Sequence, residues 1–281
     1  MTHDAAPMRL GAIVVSAYSF MREHLAATLG IGALLATLDA SISGVANSMA
    51  GDGVRSLGEL LSSQQNAANA TAAAEEIAGA LPWVSFTLLI SFLTQLAATG
   101  VMTLAVVRAR RSESVQAAEL WQGVPWSRLL GINAAVFGLM LLAAVGPTIL
   151  ALTVNALVVI AIAIVIATTI GIAVGSALAV PAMINEQLGV IPALRRSFGL
   201  VRARWIRVAW LLIAANLLWS LIGTVVSSPI SGLLGLLAGG SGSAFGDALR
   251  AITSSLITGA IALPGIAITT TLIYFARAED Q

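Results

Sequence analysis

Residues 191–218 read IPALRRSFGLVRARWIRVAWLLIAANLL, a short basic stretch that runs directly into an apolar segment. The same arrangement occurs twice more, as MRLGAIVVSAYSFMREHLAATLGIGALL from Met8 and SVQAAELWQGVPWSRLLGINAAVFGLML from Ser114. In each copy an arginine stands close to where the apolar segment begins, namely Arg22, Arg128 and Arg207. Each copy is followed by a returning apolar segment, so the chain predicts three units of a surface helix and a helical hairpin.

The composition indicates a membrane protein. Of 281 residues, 58% are hydrophobic and 10% are charged, and the mean hydropathy is +0.94. A soluble domain carries about 25% charged residues, so a soluble fold is excluded. The net charge of +1 gives no electrostatic basis for a nucleic-acid partner. Cysteine is absent, which excludes disulfides and thiolate metal sites.

Six segments are long and apolar enough to cross a hydrocarbon core about 30 Å thick. We predict them at Leu25–Ala46, Trp83–Val107, Leu129–Ala151, Ala156–Ile184, Val208–Ser227 and Ile252–Phe275. The third and fourth are almost continuous, and Gly146-Pro147 and Thr153–Asn155 are the helix-breaking residues that predict a tight hairpin between them. The sequence therefore predicts an all-α integral membrane protein, a single membrane domain over 1–281 with repeats at about 8–111, 112–186 and 187–277.

Arginine placement predicts the orientation. All fourteen basic residues are arginine. Twelve fall on one side of the six-span topology: Arg9, Arg22, Arg108, Arg110, Arg111, Arg128, Arg195, Arg196, Arg202, Arg204, Arg207 and Arg277. Only Arg55 and Arg250 fall on the other side. By the positive-inside rule we expect a multi-pass protein of the cell inner (plasma) membrane with both termini in the cytoplasm.

Two segments are predicted on the outer side. Gly51–Ala80 is polar and rich in Ala, Asn and Ser, so we expect an exposed loop with little order. Pro229–Asp247 contains an apolar run that is too short to span, which favours an interfacial or re-entrant turn.

The third surface helix has the strongest binding pattern. Its apolar residues recur at helical spacing and predict one stripe, formed by Leu194, Phe198, Val201, Trp205 and Val208. Five arginines are interleaved with these aromatic residues: Arg195, Arg196, Arg202, Arg204 and Arg207. This pattern is typical of an interfacial helix on an anionic leaflet, so membrane lipids are the expected partners. The alternative is that the arginines only determine topology.

Polar residues within the spans are candidates for an intramembrane site: Asp39, Gln95, Asn133 and Asn216. Asp39 is the one clearly ionisable residue inside a span, and it serves either a proton or cation pathway or simply reaches water at the outer boundary. The amides either line a substrate cavity or form ordinary interhelical hydrogen bonds.

Pro181 and Pro264 occupy matching places in the fourth and sixth spans. Paired breaks in repeats point to a functional kink, while the alternative is a pair of kinks that shape packing. Gly171 and Gly175 form a GxxxG motif, which is typical of close helix packing.

Enzyme signatures are not found. The two histidines, His3 and His24, do not group with acids at metal-ligand or triad spacing, so neither a metal nor a cofactor is expected. The chain has no lysine and hence no phosphate-binding Gly-Lys loop, so ATP-driven transport would require an ATPase partner.

The stretch PAMINEQLGVIPALRRSFGLVRARWIRV, residues 181–208, resembles the glycerophosphoryl diester phosphodiesterase membrane-domain family, multi-span proteins common in actinobacteria. The shared features are Pro181, Glu186, the Ala-Leu-Arg-Arg-Ser run at 193–197, and Trp205. The opening MRLGAIVVSAYSFMREHL and the closing TTTLIYFARAED are also similar to that family's ends. The family's closing Tyr-x-Asp-x-Arg pattern is incomplete here, because Tyr274-Phe275-Ala276-Arg277 lacks the Asp.

In that family, phosphodiesterase activity belongs to a separate soluble barrel, for which this chain has no room. The resemblance therefore implies a stand-alone membrane domain without catalysis. We expect a non-enzymatic, envelope- or lipid-related membrane protein with a basic cytoplasmic collar. The alternative is a membrane subunit of a transporter or exporter, with an unidentified membrane partner or ATPase.

Overall fold

The structure of the chain, a computed structural model, describes residues 10–42, 67–153, 158–237 and 244–279. Within these ranges the chain is helical and contains no β-strand. The helices are α1 (Leu10–Glu23), α2 (Leu25–Ile42), α3 (Ala67–Arg110), α4 (Ala117–Gly123), α5 (Trp126–Thr153), α6 (Val158–Ser176), α7 (Ala179–Asn185), α8 (Val190–Arg202), α9 (Trp205–Leu237) and α10 (Ala244–Ala278). The short helices α1, α4 and α8 occupy the places predicted for the three surface helices.

Six helical segments of the described chain are long and apolar enough to cross a membrane. They are Leu25–Ile42, Leu89–Arg110, Trp126–Ala143, Ala163–Asn185, Trp205–Leu237 and Ile252–Ala278. This confirms the predicted all-α fold of six spans. The spans form three pairs, and one short helix, α1, α4 or α8, precedes each pair.

The prediction of a loop at Gly51–Ala80 is wrong over residues 67–80, which belong to α3, while residues 51–66 lie outside the described chain. Alanine has the highest helix propensity, and the Ala-rich segment AANATAAAEEIAGAL is therefore helical although it is polar. With 44 residues, α3 is about 66 Å long, roughly twice the hydrocarbon thickness. Its first half therefore extends beyond the bilayer.

Two segments that were predicted to break helices at proline are helical instead. α5 passes through Gly146-Pro147 and ends at Thr153, and α6 begins at Val158; residues 154–157 lie outside the described chain. α9 likewise passes through Pro229 to Leu237, and α10 begins at Ala244. The turn predicted at Pro229–Asp247 is thus wrong for most of its length, because helices in a bilayer tolerate proline where neighbouring groups satisfy the freed carbonyl.

The core of the bundle lies between α3 and α10. Half of each of these two spans is buried, compared with 22% for the span in α5. Thr103 on α3 and Thr271 on α10 are fully buried, and their hydroxyl oxygens are 2.9 Å apart in a hydrogen bond. Trp219 of α9 donates from its indole Nε1 to Thr269 Oγ1 at 2.9 Å. These hydroxyl and indole hydrogen bonds therefore fix the positions of α3, α9 and α10 relative to one another, which non-directional apolar contacts do less well.

The fourth span is broken, and the break explains Pro181. α6 ends at Ser176 and α7 begins at Ala179. Proline has no N–H and its ring clashes with the carbonyl four residues earlier, here that of Ala177. The kink predicted at Pro181 is therefore expressed as a break one turn before it.

Pro264 has a different outcome, because α10 continues through it from Ala244 to Ala278. The carbonyl freed by this proline is that of Ala260, and it faces Gly32 of α2, where a Cβ atom would collide with it. The absence of a side chain at Gly32 lets α2 approach the freed carbonyl closely. The two prolines thus occupy matching sequence positions but do not produce matching breaks.

Candidate functional site

The described arginines other than Arg250 lie at one end of the bundle, which we call the arginine face. It comprises α4, the α7–α8 loop, α8, the C-terminal ends of α1, α3 and α10, and the N-terminal ends of α5 and α9. Arg108 Nη1 lies 3.2 Å from Glu119 Oε2 of α4. Arg110 Nη1 lies 3.3 Å from Glu279 Oε1 just after α10. These contacts join distant parts of the sequence, so arginines that are separated along the chain share one end of the molecule.

Two further arginines hold backbone carbonyls on this face. Arg128 donates from Nη1 to the carbonyl of Gln187 at 3.4 Å. Arg277 is only 6% exposed and donates from Nη2 to the carbonyl of Leu200 at 3.1 Å. A cation at a helix C-terminus is favourable because the last carbonyls carry partial negative charge, so Arg277 fixes the end of α8.

α8 packs on the bundle with one face. Its buried residues are Ala193, Ser197, Leu200 and Val201. Phe198 is 40% exposed and Trp205 is 39% exposed. The predicted stripe is divided between two helices, because α8 ends at Arg202 and Trp205 starts α9. Val201 and Val208 of the stripe are buried, while the aromatic rings lie beside the arginines.

Ser197 joins α8 to the break in the fourth span. Its hydroxyl donates to the carbonyl of Gly175 at 2.6 Å and accepts the backbone N–H of Leu178 at 3.2 Å. Both backbone groups would have helical partners if α6 and α7 were continuous. Ser197 is fully buried, so one hydroxyl replaces the two helical hydrogen bonds lost at the break.

Phe198 also packs against the C-terminal end of α6, next to the break in the fourth span. Its ring lies against Gly175, where a Cβ atom would collide with the ring. The GxxxG motif of Gly171 and Gly175 therefore acts as predicted at its second glycine, which allows close packing of α8. At Gly171 a Cβ would meet nothing within 4 Å, so this position is open.

Two clefts, each of about 550 Å³, border α8 and share Arg195 and Gly199. The first, which we call the acidic cleft, also has Glu186 and Arg196 in its wall. The second, which we call the aromatic cleft, is completed by Gly171, Gly175, Phe198, Val201, Arg202 and Trp205.

The acidic cleft contains a closed polar network. Glu186 Oε1 lies 3.1 Å from Arg196 Nε and accepts the hydroxyl of Tyr274 at 2.7 Å. Asn185 donates from Nδ2 to the same tyrosine oxygen at 3.3 Å. Arg196 is thus engaged by a carboxylate that is itself held by α10, which makes this side of α8 poorly suited to an added anion.

The arginines of the aromatic cleft are differently disposed. Arg195 and Arg202 are exposed, and neither forms an ion pair or a side-chain hydrogen bond with any residue in the described ranges. Arg204 and Arg207 are exposed at the α8–α9 turn and in the first turn of α9. The five predicted headgroup contacts therefore all lie on the arginine face, but only Arg195 and Arg202 line the aromatic cleft.

The four polar residues predicted within the spans are not gathered in one place. Asp39 accepts a hydrogen bond from Ser91 Oγ at 2.8 Å, and Gln95 lies one turn further along α3. Ser91 is nine residues from Gly100, or about 180° around the helix, and Gly100 packs on Leu129 of α5.

Asn133 lies one turn beyond Leu129, so α3 separates it from Asp39. It is 4% exposed, and its amide oxygen has no partner among the described residues. Asn216 is exposed on α9 and accepts the hydroxyl of Ser220 at 3.5 Å. Among the described residues these four side chains do not meet at one site, and the transporter alternative stays a prediction.

Sequence reasoning missed Ser197 and Gly199. The spacing of Arg195, Gly199 and Arg202 was readable, because residues at i−4 and i+3 lie on the same face of a helix. The role of Ser197 had no comparable signal, since it depends on where another helix breaks.

The fold and the site define a class: an all-α, multi-pass membrane protein whose described arginines, except Arg250, lie at one end of its helical bundle. Residues 14–278 match DUF7544, a family of unknown function, and the chain belongs to that family. No curated protein and no solved structure matches the chain. Nothing in these comparisons links it to the glycerophosphoryl diester phosphodiesterase membrane-domain family, so that resemblance stays a prediction.

Proposed function

We propose that this protein is a non-enzymatic membrane protein that associates with anionic phospholipid headgroups through its arginine face, in support of an envelope- or lipid-related process. The observation that carries the proposal is the pair Arg195 and Arg202, exposed and unpaired within the described chain beside Phe198 and Trp205. Guanidinium groups bind phosphate oxygens through two parallel hydrogen bonds. Aromatic rings favour the headgroup level of a bilayer.

The proposal places the arginine face on the cytoplasmic leaflet of the plasma membrane, with both termini in the cytoplasm. Twelve of the fourteen arginines support this orientation under the positive-inside rule. The cytoplasmic leaflet is also the anionic one, and its surface potential attracts juxtamembrane arginines.

Lipid association explains the exposed arginines of α8 better than a role in topology alone. A topology determinant needs only positive charge, and Arg108, Arg110 and Arg196 supply it while paired with carboxylates. Arg195 and Arg202 have no ion-pair partner among the residues that the structure describes, so they can meet an anion from outside the chain.

The test compares two double variants with equal loss of charge. Arg195→Gln/Arg202→Gln removes the proposed contacts, and Arg22→Gln/Arg111→Gln removes two exposed arginines elsewhere on the same face. A hydrogen bond to a charged group contributes about 1.5–3 kcal/mol, a factor of about ten or more, so loss of the two proposed contacts should reduce enrichment of phosphatidylglycerol by more than tenfold.

Enrichment is measured as the ratio of phosphatidylglycerol to phosphatidylcholine that co-purifies with protein reconstituted from an equimolar mixture. The control pair should change this ratio less than about threefold, because its arginines do not border the clefts. Equal effects of the two pairs, or no effect of either, would refute headgroup association through α8.

A further inference from the structure

Gly199 lies between Arg195 and Arg202 on the surface of α8. Arg195 stands four residues before it and Arg202 three residues after it, so both side chains project from the same face as the glycine. A Cβ atom at Gly199 would meet nothing within 4 Å. The helix backbone is thus bare at this point, with a guanidinium one turn away on either side.

The aromatic cleft leads from this point toward the membrane span of α6. Its wall passes from Gly199 along Phe198 and Trp205 to Gly171, where there is also open space for a Cβ atom. Beyond Gly171 the exposed surface of α6 is mainly apolar and includes Ile170 and Ile166. The exposed Thr168 donates its hydroxyl to the carbonyl of Ile164 in the same helix at 2.8 Å. A ligand in this cleft would therefore meet positive charge at one end and hydrocarbon surface at the other.

The neighbouring acidic cleft differs in charge. Glu186 presents its carboxylate there and already engages Arg196 at 3.1 Å. An anion at Gly199 is repelled from the Glu186 side and attracted by Arg202 on the other. The charge pattern therefore directs a phosphate to the aromatic cleft.

We infer that a single anionic glycerophospholipid binds in the aromatic cleft, with its phosphate over Gly199 between Arg195 and Arg202 and an acyl chain running over Gly171 along α6. This inference rests on the proposed function and narrows it from a basic surface to a discrete binding site. The apolar continuation past Gly171 selects a membrane lipid over a soluble phosphate, because a soluble anion gains nothing from that part of the cleft.

Gly199→Leu tests the site without changing the charge. The leucine side chain projects into the space between the two guanidiniums, and the helix tolerates it because no neighbour lies within reach of the Cβ. The readout is native mass spectrometry of detergent-purified protein, which counts phosphatidylglycerol molecules retained after reconstitution in its equimolar mixture with phosphatidylcholine. Wild-type protein should retain one phosphatidylglycerol, and Gly199→Leu should reduce its occupancy roughly tenfold, the effect of losing one charge-assisted contact.

Gly199→Ala is the matched control, and it should keep the lipid and the thermal midpoint of the wild type. Gly171→Leu is a second, independent variant that blocks the acyl-chain path from α6 and leaves every arginine in place. It should lower retention as well, and it keeps the test decisive if Gly199→Leu does not fold.

The outcomes distinguish a discrete lipid-binding site from general association of lipids with the arginine face. If both leucine variants retain the lipid while Arg195→Gln/Arg202→Gln loses its phosphatidylglycerol enrichment, the discrete site is refuted and the proposed function stands. If the double variant also retains its enrichment, both are refuted. Displacement of the lipid by millimolar inorganic phosphate, without any detergent change, would show that the site takes a soluble anion and would overturn the assignment to a phospholipid.

Discussion

The break between α6 and α7 depends on one hydroxyl, and Ser197→Ala isolates its contribution. The variant removes the 2.6 Å bond to the Gly175 carbonyl and the 3.2 Å bond from the Leu178 amide. Ser197 is fully buried, so water does not replace either bond. An unsatisfied buried polar group costs about 1–3 kcal/mol, so leaving two of them unpaired should lower the free energy of unfolding by about 2–6 kcal/mol.

The free energy of unfolding is measured by titrating protein in mixed micelles with sodium dodecyl sulfate and following helicity and tryptophan fluorescence. Ser176→Ala is the control. Its hydroxyl bonds the carbonyl of Ile172 at 2.7 Å within the same helix, where that carbonyl also has a backbone partner, so its loss should cost less than about 0.5 kcal/mol. A Ser197→Ala variant within 0.5 kcal/mol of this control would refute the argument that the hydroxyl replaces two helical bonds.

Two further predictions concern packing and orientation. Gly265→Ala should destabilise the bundle by about 1–3 kcal/mol in the same titration, because its new methyl group would collide with the buried indole of Trp219; Gly138→Ala, whose Cβ meets nothing within 4 Å, should be neutral or stabilising. The chain has no cysteine, so single cysteines report orientation directly. In intact cells a membrane-impermeant maleimide should label Ser241→Cys, between α9 and α10, but should label Gln122→Cys on α4 only after permeabilisation; the reverse pattern would contradict a cytoplasmic arginine face.

The six spans could be predicted because apolar length is the dominant requirement of a bilayer. Helix ends were harder, because hydropathy reports where a helix crosses hydrocarbon and not where it stops. The polar segment at the start of α3 is helical through its alanines, so its low hydropathy was misleading. Pro147 and Pro229 likewise interrupt a sequence pattern without ending a helix.

The packed face of α8 could not be read from apolar periodicity. In water the large apolar residues mark the core, but beside a bilayer they are equally stable against acyl chains, and small residues allow helices to approach. Ala193 and Ser197 accordingly face the bundle while Phe198 faces the aromatic cleft. The outcomes at Pro181 and Pro264 were also beyond prediction, because each depends on a residue supplied by another helix, Ser197 in one case and Gly32 in the other.

The central position of α10 has a consequence for how the protein is made. α10 packs against α1, α3 and α9, yet it is synthesised after all three. Thr103 and the apolar residues around it on α3 therefore enter the membrane long before Thr271 exists to bond them. The contacts of α10 with α1, α3 and α9 can therefore form only after the last span is synthesised, whereas the contact between α5 and α6 requires no later helix.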